Sequence, residues 1–80
     1  MGYEYLIRYR PADLLAWEAF VARLDNPVAA DGRPAFEVAL TEPGVYFLDH
    51  GHSPAAAVAF RRVVDEALRH GGAVAVEETG

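Results

Sequence analysis

The side chains with the most chemistry to offer sit together in Asp49-His50-Gly51-His52-Ser53. Imidazoles and carboxylates ligate divalent metals and move protons, and a carboxylate beside a histidine fixes the ring's orientation. In an extended segment His50 and His52 point to the same side, and Asp49 can orient one of them. Two imidazoles and a carboxylate would hold zinc with one position open. No further ligand follows at the spacing of a structural zinc site, so the sequence implies no defined metal site and no cofactor. Ser53-Pro54 starts a helix, whose first N–H groups beside His52 could instead receive a small anion. The plainest reading is a strand end, a turn and a helix cap.

Other catalytic patterns are missing. Ser53 stands in no G-x-S-x-G context, and the chain has no lysine for a phosphate-binding loop. The chain contains no cysteine, which excludes thiolate chemistry, Cys-ligated zinc and a disulfide scaffold. Asp65-Glu66 and Glu77-Glu78 are sequence neighbours rather than facing pairs. His70 reads as a cation at a helix C-terminus. The net charge of −5 opposes nucleic-acid binding, which needs a surplus of positive charge. All seven basic residues are arginine, which reads most simply as the codon bias of a GC-rich bacterial genome, and no mechanism follows from it.

The elements that must position these groups follow from hydrophobic periodicity. Tyr3 to Arg10 alternates, with Tyr3, Tyr5, Ile7 and Tyr9 on one face and Glu4, Leu6, Arg8 and Arg10 on the other, which predicts a strand. Leu14, Trp17, Phe20, Val21 and Leu24 recur at helical spacing across 12–24 and predict an amphipathic helix, with Leu15 off the stripe. Asp25-Asn26-Pro27 stops it, and 28–34 reads as a loop around Asp31-Gly32. Residues 35–41 and 45–50 alternate as two strands of a hairpin with a tight turn at Pro43-Gly44. A helix follows from Ser53, its inner face read as Ala57, Phe60, Val64, Ala67 and Leu68, and it ends at Gly71-Gly72. Residues 73–78 make the last strand, with Val74 and Val76 inward. Trp17, Phe20, Phe36, Phe47, Phe60 and Val64 are the expected core.

The order strand, helix, strand, strand, helix, strand predicts one α+β domain over 1–80. Right-handed crossovers give a ferredoxin-like β-α-β-β-α-β plait, a four-stranded antiparallel sheet in the order 4-1-3-2 with two helices on one face. That leaves one sheet face bare, carrying Leu6, Arg8, Arg10, Glu37, Tyr46, Leu48 and His50, with His52 at its margin. A two-residue turn at Pro43-Gly44 would set Glu37 directly opposite His50. An apolar patch of Leu6, Tyr46 and Leu48 rimmed by charge has the makings of an interaction surface.

The expected function is accordingly a small non-enzymatic binding or regulatory module acting through this face, with itself (as a homodimer) or another protein as partner. One alternative is a dimeric α+β barrel enzyme with a pocket near His50 and His52; another is a small-anion or metal site at the Asp49–Ser53 segment. The N-terminal segment lacks the basic-then-apolar pattern of a signal peptide, and no apolar run is long enough to span a membrane. A cytoplasmic protein with neither nucleic-acid nor membrane partners is expected.

Overall fold

A computed structural model of the chain describes residues 2–79. Its elements are β1 (Tyr3–Ile7), α1 (Leu14–Ala22), β2 (Phe36–Leu40), β3 (Val45–Asp49), α2 (Pro54–Gly71) and β4 (Val76–Glu78). The four strands form one antiparallel sheet in the order β2-β3-β1-β4, the expected order read from the other edge. Both helices cover the same sheet face. Ile7, Phe36, Val45 and Phe47 from the sheet meet Trp17 of α1 and Ala56, Ala59, Val63 and Ala67 of α2 in one buried cluster. Phe20, Phe60 and Val64, expected at its centre, are only partly buried at its margin.

Helix α2 starts as the sequence suggests. The Ser53 hydroxyl accepts from Ala56 N (3.1 Å), and Pro54 occupies the first turn, where a missing N–H costs nothing. Its buried face, however, is rotated by somewhat less than one residue step from the expected one. Ala57 and Leu68 are exposed, while Ala56, Ala59, Val63 and Ala67 are buried. The alanines let the helix axis approach the sheet closely. Phe60, too bulky to lie beneath it, wedges along its flank against Tyr5 and Phe47, with ring centroids 4.8 and 5.3 Å away.

Helix α1 is shorter than expected because Asp13, not the preceding Pro11-Ala12, supplies its cap: the carboxylate accepts from Ala16 N at 3.1 Å. It is also not amphipathic. Leu14 is 54% and Leu15 80% exposed, and Trp17 is the helix's buried residue. Leu14 lies on the expected stripe, but that side of α1 overhangs the edge strand β2 with no element beyond it.

Strand β1 stops at Ile7 rather than Arg10. Tyr9 N donates to Ile7 O (2.8 Å), folding the backbone back over Arg8. That bend shortens β4 to three residues, since its ladder has lost its neighbour. The hairpin turn is also displaced: Thr41 and Gly44 exchange backbone hydrogen bonds (2.8 and 3.2 Å), so the central pair is Glu42-Pro43 and not Pro43-Gly44. The Thr41 hydroxyl reinforces it by donating to Gly44 O (2.7 Å). Gly44 (φ +154°) is needed for another reason, because a Cβ there would collide with the Ile7 carbonyl. The register moves by two residues, which preserves every side chain's face. Glu37 therefore lies opposite Leu48, and His50 reaches it diagonally.

Candidate functional site

The face away from the helices carries ordered rows of side chains. Register sets Glu77, Leu6, Tyr46 and Ala39 across the sheet in one row. The next row holds Glu4, Leu48 and Glu37. Leu6, Tyr46 and Leu48 are half-buried and contiguous, and His50 closes one end. No element covers them among the described residues.

Three carboxylates border this apolar centre, and each is fixed by an internal partner. The Tyr46 hydroxyl donates to Glu4 Oε1 at 2.6 Å. His50 Nε2 lies 2.5 Å from Glu37 Oε2. Arg8 Nε donates to Glu77 Oε2 at 2.5 Å, with a longer contact of 3.4 Å from its second nitrogen. The hydrogen bond to Glu4, with some burial and the charges of Glu4 and Glu37, pushes the Tyr46 phenol up to about 12. It is a standing donor rather than a base. The Arg8 hydrogen bond holds Glu77 below the usual carboxylate range. These pairs are solvent-accessible, so each adds little stability; what they fix is side-chain position.

Of the residues expected on this face, Leu6, Arg8, Glu37, Tyr46, Leu48 and His50 are there together. Arg10 is not: beyond the bend in β1 it donates to the carbonyl oxygens of Thr41 and Glu42, 2.6 Å each, and clasps the hairpin turn. His52 departs as well. Its backbone is left-handed (φ +56°), and its ring lies tilted against Tyr3, centroids 3.7 Å apart, on the helix side of the sheet. His50 and His52 thus diverge, contrary to the same-side expectation, because the chain turns sharply into α2 between them.

Asp49 holds that turn. It is 6% exposed, and its Oδ1 accepts from Gly51 N (3.0 Å) and His52 N (2.7 Å), while Oδ2 lies 3.4 Å from His52 Nδ1. The carboxylate is occupied with the backbone, which is the chemistry of a loop anchor. Among the described residues no group of three or more His, Asp or Glu side chains converges to hold a metal. Sequence reasoning treated Asp49 as an orienting group for a histidine; its signal as an anchor was the Asp-x-Gly spacing before a helix cap.

Two further concavities were not foreseen. A cleft of about 270 Å3 lies where β1 leads into α1 and is lined by Tyr9, Trp17, Glu66 and His70. Glu66 there already binds Arg69 (2.8 Å) and His70 (3.1 Å), and burial together with that carboxylate raises the Tyr9 phenol's pKa. An apolar groove of about 480 Å3 runs between α1 and β2, lined by Leu14, Trp17, Val21, Val38 and Leu40, with Glu18 its one ionisable side chain. The signal for it was present in LLAWEAFVA, a helix apolar at every position but Glu18.

Comparison with protein-family models, with curated proteins and with solved structures finds no match. No helix among the described residues is long and apolar enough to cross a membrane.

Proposed function

We propose that the chain is a small non-enzymatic binding or regulatory module that takes a partner protein on its open sheet face and works as a homodimer. The observation that carries this is the pre-set border of Glu4, Glu37 and Glu77 around Leu6, Tyr46 and Leu48. Side chains already fixed lose less freedom on binding, so the face is ready to receive a complementary surface. Its three carboxylates face one arginine, Arg8. A partner with apolar side chains among basic ones fits best, and nucleic acid fits worst. The strand order and the shared helix side support a ferredoxin-like plait.

Peptides selected from a random display library against the immobilised protein test this. The selected sequences should combine basic and apolar residues, and Leu48→Glu or Leu6→Glu should abolish their binding while leaving the circular dichroism unchanged. Ligands indifferent to both substitutions would defeat the proposal.

A further inference from the structure

The two edges of the sheet are not equally protected. Strand β4 is short and carries Glu77 and Glu78, two devices that discourage a sheet edge from pairing with another chain. Strand β2 is two residues longer and carries a single charge, Glu37, which is already paired with His50. In its ladder with β3, residues 35 and 41 bond to β3 and its turn, so by alternation 37 and 39 do too. The main-chain groups of Phe36, Val38 and Leu40 therefore point outward. Those of Phe36 are covered by the Asn26 side chain, which donates to Phe36 O (2.9 Å) and accepts from Phe36 N (3.3 Å). Val38 and Leu40 are left with no hydrogen-bond partner among the described residues, beside the apolar groove under Leu14 and Val21.

We infer that this edge pairs with the same edge of a second copy, antiparallel and centred on Ala39. In that register Val38 faces Leu40 of the other copy, and each exchanges both main-chain hydrogen bonds with it, using only the free groups. On the open face Ala39 meets Ala39, and Glu37 falls opposite Thr41, so no like charges face one another across the junction. On the helix side the two α1 helices come together over the seam and close the groove. A face-to-face dimer would instead oppose the carboxylate borders of the two open faces. The inference rests on the reading of the chain as a self-associating module, but it uses a different surface and leaves the binding face free on both copies.

Sedimentation equilibrium across a micromolar concentration series, paired with residue-resolved amide exchange of the full chain, decides the matter. Wild type should be dimeric, with the Val38 and Leu40 amides protected, although in a lone chain they face solvent. Leu14→Arg, at an exposed position, should weaken dimerisation about tenfold or more. Val38→Pro, which removes an outward donor, should do the same. Leu48→Glu should leave the dimer intact while abolishing peptide capture, so the two readings fail separately. A chain that stays monomeric, a dimer whose Val38 and Leu40 amides exchange freely, or a dimer lost with Leu48→Glu but kept with Leu14→Arg overturns the inference.

Discussion

At Asp49 a residue type that suggests proton chemistry is used to build a turn. Removing its carboxylate takes away the charged acceptor of the Gly51 and His52 N–H groups and frees the entry to α2. Asp49→Ala should therefore cost about 2–3 kcal/mol in urea denaturation, and Asp49→Asn, which keeps an acceptor oxygen, clearly less. Equal, small losses would mean the turn holds without it. Tyr46 allows a second test. Its phenol titrates higher folded than unfolded, so its contribution is complete below the unfolded value near 10 and is lost as pH rises toward about 12. Spectrophotometric titration should show one tyrosine ionising last, and Tyr46→Phe should remove that step. The stability advantage of wild type over Tyr46→Phe, below about 1 kcal/mol for so solvent-screened a pair, should be flat below pH 10 and disappear between 10 and 12. A step near pH 12 that persists in Tyr46→Phe would show that Glu4 does not hold this hydroxyl.

Among the elements, α2 separates the burial observed from the burial expected. Val63→Ala should cost roughly 2 kcal/mol, because it opens space in the closed core, whereas Leu68→Ala on the exposed side should change stability by less than about 0.5 kcal/mol. The reverse order of melting temperatures would restore the face inferred from periodicity. That face was misread because Phe60, Val64 and Leu68 outweigh alanine in any hydrophobicity count, while close helix–sheet packing selects the small residues. The strands were legible for the opposite reason: period two survives a register shift of two. Leu6, Arg8, Glu37, Tyr46, Leu48 and His50 thus fall on the open face as expected although the turn is displaced, while Arg10 and His52 lie well beyond the strand ends, where the period no longer holds. Local sequence could not reveal the bend after Ile7, which depends on Gly44 closing against β1 from a distant part of the chain. The outward apolar surface of α1 was written in its composition, and expecting an amphipathic stripe concealed it.

Taken whole, the molecule presents two unlike surfaces: an acidic-bordered sheet face with an apolar centre, and an apolar helix beside an open strand edge. A chain of 80 residues buries a modest fraction of its surface, so joining copies along that edge adds burial the monomer lacks. The role of the face itself is tested most directly by titrating isotope-labelled protein with a display-selected peptide and following every backbone amide by NMR. Shifts should concentrate at Leu6, Arg8, Glu37, Tyr46, Leu48 and His50. Shifts confined to α1 or to the cleft around Tyr9 and His70, with the sheet face silent, would contradict it.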